Sequence, residues 1–216
     1  MVDGRFEIEM IFSILFLIIS CSKSDINSPN KEYNKIETTL ESQAKSNYNG
    51  FAFYEGQATY SISHYNIDRE YIIYIPPSIE SRTNLPVIFN FHGYQGRANQ
   101  FFNMTDLIDI ADENGVVLVY PQGAPLDGGP SHWNAAPFNS SSFVNKSNVN
   151  DLQFFLRLLD VVNQNNILDL NRVYAIGYSN GGMFSHFLAC NTENVFAAIG
   201  DVAAVSYTHL TLPTKA

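Results

Sequence analysis

Apolar residues along the chain form short runs separated by polar stretches, and the spacing within these runs predicts secondary structure. Residues 58–64 and 69–75 are rich in Tyr and Ile and predict two strands, joined by a short turn at residues 66–68. Residues 85–91 and 116–120 are nearly continuous apolar runs, which is typical of strands covered on both faces. These four segments predict a sheet with a buried interior.

The rest of the chain predicts helices that alternate with strands. Residues 101–114 and 149–165 place apolar side chains at helical spacing. A strand-like run at 172–176 is followed by a helix-like run at 182–190, and residues 196–205 fit one more strand. A strand pair followed by alternating helices and strands predicts an α/β fold, in which helices cover both faces of a mostly parallel sheet with an N-terminal β-hairpin.

Residues 122–148 form a long irregular stretch rich in Gly, Pro, Ser and Asn. Loops of this length inside a compact domain are usually functional. The stretch contains Trp133, the only tryptophan, together with Phe138 and Phe143. Two interpretations stand side by side: these aromatic side chains stack on a ligand such as a sugar ring, or they anchor the loop to the core. On the first interpretation, Trp133 is a candidate substrate-contacting residue.

The N-terminal segment differs from the rest of the chain. Its apolar run of about ten residues is short for a membrane span and typical of a signal-peptide core. Ile18-Ile-Ser-Cys21 resembles a bacterial lipobox, in which cleavage leaves a lipidated Cys21 as the N-terminus. We expect residues 1–21 to be a lipoprotein-type signal peptide, with a plain secretory signal or an apolar helix as alternatives. Residues 22–56 are too polar to fold alone and predict a flexible tether before a domain at 57–205.

The composition of the chain mainly argues against certain classes of binding partner. A chain of 216 residues is long enough for one sizeable core, and its net charge of −9 argues against a nucleic-acid partner because nothing would neutralise phosphates. The basic residues are scattered, so we expect membrane contact only through the lipid anchor, on an exported protein that is either a surface lipoprotein or secreted. No Cys/His cluster has zinc-ligand spacing, and we expect neither metal nor cofactor. Cys190 is either a buried thiol or half of a disulfide.

The most informative motif is Gly-Tyr-Ser-Asn-Gly at residues 177–181, which lies between a predicted strand and a predicted helix. A sharp strand-to-helix turn presents a serine at the top edge of a sheet, and flanking glycines are needed because the turn leaves no room for side chains. The pattern makes Ser179 a candidate nucleophile supported by Gly177 and Gly181. The alternative is an ordinary tight turn with a solvent-facing serine.

A serine nucleophile of this kind needs donors for the oxyanion of a tetrahedral intermediate. The backbone N–H of Asn180 is one natural donor. The second donor is expected from the loop after the strand at 85–91, where Gly93 lets the backbone approach the serine. We favour the N–H of Tyr94, and we expect His92 to be structural rather than the catalytic base.

A set of segments occurs in an order that resembles the secreted polyhydroxybutyrate depolymerase and feruloyl esterase family of α/β-hydrolases, over roughly residues 57–205. The resemblance implies a serine carboxylesterase that acts through an acyl-enzyme on extracellular polyester or on feruloyl or acetyl esters of plant polysaccharide. A serine peptidase of the prolyl-oligopeptidase type and a non-catalytic polymer-binding surface lipoprotein are the alternatives. The segments are Asn90-Phe-His-Gly93, Val119-Tyr-Pro-Gln-Gly123, Trp133, Asn150-Asp-Leu-Gln-Phe154, Arg172-Val-Tyr-Ala-Ile-Gly-Tyr-Ser-Asn-Gly-Gly-Met183, Leu188-Ala-Cys190 and Phe196-Ala-Ala198.

The acid and the base of the triad follow the serine in this fold, but only 37 residues follow Ser179. Asp201 lies inside the last predicted strand, and His186 lies on the helix after the serine, pointing away from the sheet edge. Residues 206–216 resemble translated sequencing-adapter read-through, so we expect a non-native tail; a genuine terminus with His209 as base is the alternative. The acid and base thus stay unknown. We expect them to be missing from an inactive fragment whose sheet is incomplete at the C-terminal end.

Overall fold

The computed structural model of the protein describes most of the predicted globular domain. The described residues are 55–77, 83–126, 129–138, 140–164 and 166–204. The predicted signal peptide with Cys21, the tether up to residue 54 and the tail with His209 lie outside these ranges. Within them, no helix combines the length and the apolar character that a membrane crossing needs.

Within the described ranges, six strands form one sheet, and two short strands form a separate ladder. The six are β1 (Gly56–His64), β2 (Ile67–Ile75), β3 (Leu85–Phe91), β4 (Val117–Pro121), β7 (Leu168–Tyr178) and β8 (Ala198–Val202), and the ladder pairs β5 (Ala124–Pro125) with β6 (Ser131–His132). The strand order in the large sheet is β1-β2-β4-β3-β7-β8. Strand β2 pairs antiparallel with β1 and β4, and the remaining pairs are parallel. The predicted mostly parallel sheet with an N-terminal hairpin is therefore confirmed.

The turn of the hairpin lies one residue earlier than predicted. Tyr65 and Asn66 form the turn with φ values of 49° and 59°, and His64 pairs directly with Ile67. Two successive residues with positive φ are the mark of a type I′ turn, whose twist matches that of the strands it joins. The prediction of a turn at 66–68 was wrong because Ile67 and Asp68 already belong to the ladder.

Four helices in the described part of the chain cover the sheet, two on each face. They are α1 (Ala98–Thr105), α2 (Ile108–Asn114), α3 (Asp151–Val162) and α4 (Asn180–Asn191). One apolar cluster joins α1 and α2 to alternate positions of β2 and β4, and a larger one joins α3 and α4 to the opposite set of positions. This alternation follows from the period of two along a strand and confirms the prediction of helices on both faces.

The single helix predicted at 101–114 is in fact two helices. Asp106 adopts the left-handed conformation (φ 49°, ψ 43°) and ends α1, and Thr105 turns its hydroxyl back onto the carbonyl of Phe102. Leu107 and Ile108 are half-buried after the break, so the apolar period continues across it. Periodicity alone could not reveal a break of two residues, whose left-handed first residue Asp tolerates because of its short polar side chain.

Candidate functional site

Ser179 occupies a strained turn between β7 and α4. Its φ of 52° and ψ of −114° are unusual for a non-glycine residue and cost about 1–3 kcal/mol. The serine N–H donates to the carbonyl of Val202 at 2.9 Å, and the serine carbonyl accepts from the N–H of Met183 at 3.1 Å. These bonds anchor the turn to β8 on one side and to the first turn of α4 on the other.

The flanking glycines are required because backbone fills the space where a side chain would lie. A Cβ at Gly177 would lie 2.2 Å from the backbone of Gly181, and a Cβ at Gly181 would lie 2.0 Å from the carbonyl oxygen of Phe91. Distances this short are far inside van der Waals contact, and main-chain atoms cannot swing aside. This close packing gives the glycines of the serine turn a steric explanation.

The loop after β3 lies directly beside the serine. Strand register pairs Phe91 with Gly177, which brings the ends of β3 and β7 together. A Cβ at Gly93 would lie 3.5 Å from the Cβ of Ser179. The loop then closes in a turn in which the N–H of Gly96 donates to the carbonyl of Gly93 at 3.0 Å. The arrangement places the backbone after Gly93 next to the serine.

Two backbone N–H groups are available near Ser179. The N–H of Asn180 belongs to the first turn of α4, where N–H groups have no acceptor within the helix and the helix dipole favours negative charge. The N–H of Tyr94 donates to no acceptor among the described residues, whereas the next N–H, of Gln95, donates to the carbonyl of Ser131. These are the two donors that the sequence predicts for an oxyanion.

His92 is buried, and protein atoms occupy both of its ring nitrogens. Its Nδ1 lies 2.8 Å from the carbonyl oxygen of Gly93 and therefore donates, and its Nε2 accepts from the N–H of Gly123 at 2.9 Å. Burial lowers the pKa of His92 to about 4, although the bond to the Gly93 carbonyl opposes this. A neutral imidazole with both nitrogens engaged holds loops together and is not placed to remove a proton from Ser179.

Trp133 is not exposed, which corrects its assignment as a substrate-contacting residue. The side chain is 0% exposed and stacks on Phe184 with ring centroids 5.0 Å apart and planes at 10°. It also meets the edge of Phe91. Of the two interpretations of the loop aromatics, anchoring to the core therefore applies to Trp133. Phe138 and Phe143 are 40% and 64% exposed.

Polar side chains that the sequence analysis did not assign to the site hold the Trp133 loop, defined here as residues 122–126, 129–138 and 140–150. The side chain of Asn180 bonds the backbone of Trp133 in both directions. Asn134 accepts from the N–H of Lys146 and donates to the carbonyl of Val149. The loop therefore has a defined conformation fixed by buried amides.

A buried ion pair anchors the end of the same loop to the sheet. Asp151 bonds Arg69 on β2 at 2.6 Å and accepts from the N–H of Asn134 at 2.7 Å, and both charged side chains are almost fully buried. Burial raises the pKa of Asp151, and the Arg69 guanidinium opposes that change. Arg69 could have indicated this pair in the sequence, because it precedes the apolar half of a predicted strand. A charged side chain buried there needs a buried partner of opposite charge.

Three of the four described histidines bond groups other than the serine, and the ring of His64 packs edge-on against Phe154. His64 and His92 are largely buried with pKa values lowered to about 4, and His132 bonds the carbonyl of Val144. His186 contacts Asp201, so the two residues considered as base and acid of the triad bond each other. In the part of the chain that the structure describes, no histidine bonds the hydroxyl of Ser179.

The sequence of this chain matches a known protein family. Residues 69–212 match the Esterase PHB depolymerase family, which is about two thirds of the chain. The chain belongs to this family. A curated relative, feruloyl esterase B of Thermothelomyces thermophilus, is 30% identical over 135 residues, covering 62% of this chain and 44% of the relative. The chain thus spans less than half the length of this relative.

Solved structures establish the fold. The LpqC poly(3-hydroxybutyrate) depolymerase from Bordetella parapertussis aligns with a TM-score of 0.53 and 20% identity, covering 68% of this chain and 51% of that one. An S-formylglutathione hydrolase from Agrobacterium tumefaciens aligns with a TM-score of 0.59 and 17% identity, covering 72% and 60%. The protein has the α/β-hydrolase fold, as predicted.

Proposed function

We propose that this family member is a serine esterase that hydrolyses carboxylic esters through an acyl-enzyme, with Ser179 as the nucleophile. The observation that carries the proposal is the position of Ser179. It lies in a strained turn at the N-terminus of α4, with the loop of Gly93 packed against it. We infer that the half-buried serine presents its hydroxyl beside the backbone N–H groups of these two segments, an arrangement that acyl transfer to a serine requires.

The proposed reaction follows from these groups. The hydroxyl of Ser179 attacks the ester carbonyl and gives up its proton to a histidine base, while the N–H groups of Asn180 and Tyr94 bind the oxyanion. The alcohol then leaves with that proton, and water hydrolyses the acyl-enzyme by the same route. We place the base and its acid outside the described residues, because three of the four described histidines bond other groups and His64 packs against Phe154.

We propose extracellular polymer esters as substrates, namely a polyhydroxybutyrate-type polyester or feruloyl and acetyl esters of plant polysaccharide. The support is the family itself and relatives described as feruloyl esterase B and acetylxylan esterase A. A panel of polyhydroxybutyrate, methyl ferulate and acetylated xylan separates these classes, since each releases a different product. Equal and very low rates on all three, with fast hydrolysis of small aryl esters, would contradict a polymer substrate.

We further propose that the protein is exported and anchored through Cys21, which rests on the lipobox-like residues 18–21. Radiolabelled palmitate should enter the wild-type protein and not a Cys21→Ser variant. Equal labelling of both would contradict the anchor.

A non-catalytic polymer-binding role is the second candidate. Burial of Trp133 removes its main support, but exposed Phe138 and Phe143 remain on the same loop. Binding to polymer by a protein that never reacts with a fluorophosphonate would favour this role. The peptidase alternative is tested by offering peptide substrates alongside esters.

The decisive experiment compares two serine variants of the full-length gene product. Ser179→Ala should abolish hydrolysis of p-nitrophenyl acetate and covalent labelling by a fluorophosphonate. Ser185→Ala is the matched control, because Ser185 lies buried on the same helix and, among the described residues, its hydroxyl bonds the carbonyl of Gly181 alone. Undiminished hydrolysis by Ser179→Ala, or loss of activity in both variants, would overturn the assignment of the nucleophile.

A further inference from the structure

We propose that the side chain of Asn180 is a positioning group that sets the separation of the two oxyanion donors. The inference rests on the proposed function and adds a second role to this residue. Its backbone N–H is the proposed donor, and its side chain holds the partner loop in place. This second role requires a side-chain amide, which can both donate and accept a hydrogen bond.

The first observation is a two-way clamp between Asn180 and Trp133. The side-chain Oδ1 of Asn180 accepts from the N–H of Trp133 at 2.9 Å, and its Nδ2 donates to the carbonyl of Trp133 at 2.9 Å. The two residues are 47 positions apart in the chain. One side chain therefore satisfies both backbone groups of a single residue in a buried site, where unpaired groups are costly.

The second observation is that Trp133 passes this restraint on to the loop after β3. Its indole N–H donates to the carbonyl of His92 at 3.0 Å, and its ring is held between Phe184 and Phe91. The carbonyl of His92 belongs to the peptide bond between His92 and Gly93, and Tyr94, the proposed donor, follows directly after Gly93. Three hydrogen bonds thus connect the start of α4 with the oxyanion loop.

The third observation excludes a direct role for the amide. Asn180 is only 6% exposed, and both of its amide atoms bond Trp133, so the side chain is not free to bind a substrate oxygen. An aspartate could not donate to the Trp133 carbonyl, and a leucine of similar size would leave both Trp133 groups unpaired. Asn180 consequently acts through Trp133 and not on the reacting atoms.

The oxyanion exists only after attack on the ester, which makes the expected effect specific. Loss of the clamp should weaken binding of the transition state and leave binding of the ester little changed. We expect Asn180→Ala to lower kcat by roughly 10- to 100-fold, with KM within about twofold of wild type. Trp133→Phe keeps an aromatic ring but loses the indole donor, and should lower kcat about tenfold.

The matched control is Asn145→Ala. Asn145 is also an amide that ties the Trp133 loop, through bonds to the backbone of Ala136 and Pro137, but its hydrogen bonds within the described residues go to neither Asn180 nor His92. Its loss should affect stability with kcat unchanged. An equal fall of kcat in Asn145→Ala and Asn180→Ala would overturn the positioning role, because any loosening of the loop would then suffice.

A spectroscopic readout keeps this test separate from that of the nucleophile. Trp133 is the only tryptophan, so its emission reports the clamp whether or not the protein turns over an ester. Asn180→Ala should shift the emission to longer wavelength, and Asn145→Ala should not. Activity retained in Ser179→Ala would refute the proposed function alone. Wild-type emission of folded Asn180→Ala would refute the clamp alone.

Discussion

The serine turn and the Trp133 loop lie side by side but owe their conformations to different forces. The turn at 177–181 is set by steric contacts with main-chain atoms, which come from within the turn at Gly177 and from Phe91 on β3 at Gly181. In its described residues, the Trp133 loop has only a two-residue ladder of its own, and it is held by side chains from β2, α3 and α4. Steric exclusion by the main chain shapes the first region, and hydrogen bonds from distant side chains shape the second.

This difference determines what each region tolerates. A backbone that touches backbone cannot relax, so the turn should respond sharply to one added methyl group and little to distant changes. A loop held by buried polar groups should respond most to the loss of a partner far away in sequence. Two substitutions and a change of pH test this contrast, and the first substitution should have the largest effect.

Gly181→Ala should be the most damaging of the substitutions. Its Cβ would meet the carbonyl oxygen of Phe91 at 2.0 Å, and neither backbone can yield without separating α4 from β3. We expect the free energy of unfolding, measured by urea titration, to fall by more than about 5 kcal/mol, because backbone meets backbone and ordinary repacking of side chains cannot relieve the contact. The matched control is Gly200→Ala, whose Cβ would lie 3.8 Å from Ile176 and should change stability by less than about 1 kcal/mol. Similar stability of the two variants would refute the steric account of the turn.

Asp151→Asn should show how much the Trp133 loop depends on a distant partner. The asparagine keeps an oxygen for the N–H of Asn134 but leaves the guanidinium of Arg69 buried without a counter-charge. Removing one member of a buried pair costs about 3–5 kcal/mol, which urea titration would detect. Asp169→Asn removes the partner of Arg172 in an exposed pair and should have no measurable effect. A small effect at Asp151 would mean that other contacts hold the loop.

Acidification should loosen the contact between the two regions through His92, which bonds Gly93 on one side and Gly123 on the other. Its folded pKa of about 4 lies below the ordinary value of 6.5, so the folded state binds fewer protons between these values. This contribution to stability is present above pH 6.5 and is lost as the pH falls towards 4. It amounts to about 1 kcal/mol between pH 7 and pH 5.5.

His64 has a pKa lowered in the same direction, so the wild type should be compared with His92→Gln. The variant should lose stability less steeply over this pH range. Parallel slopes in urea titrations at several pH values would show that His92 is not the linking group.

Much of the fold could be predicted because apolar patterning has a period that matches each element. The strands at 85–91 and 58–64 and the helices on both faces were confirmed in this way. The break at Asp106 and the turn at Tyr65 were not foreseen, because each depends on the φ angle of one or two residues. Patterning averages over several residues and is insensitive to a single dihedral angle.

In the candidate site, too, some features could be predicted from the sequence and others could not. The spacing Gly177-x-Ser179-x-Gly181 predicted the strand-to-helix turn, because the steric needs of that turn act on neighbouring residues. The burial of Trp133 and the two-way bond of its backbone to Asn180 could not be predicted, because each joins residues distant in the sequence. The residues that bond Trp133 are of common polar types, and the residue type alone does not indicate which distant residue it pairs with.

The sequence by itself determined the elements, their order and the place of the strained serine, because these depend on short-range sterics and on the alternation of apolar positions. Only the tertiary structure decided that the tryptophan loop is part of the core and that an asparagine side chain ties it to the serine turn. Hydrogen bonds between distant residues form only once the sheet brings β2, β3 and β7 together, so no local pattern encodes them.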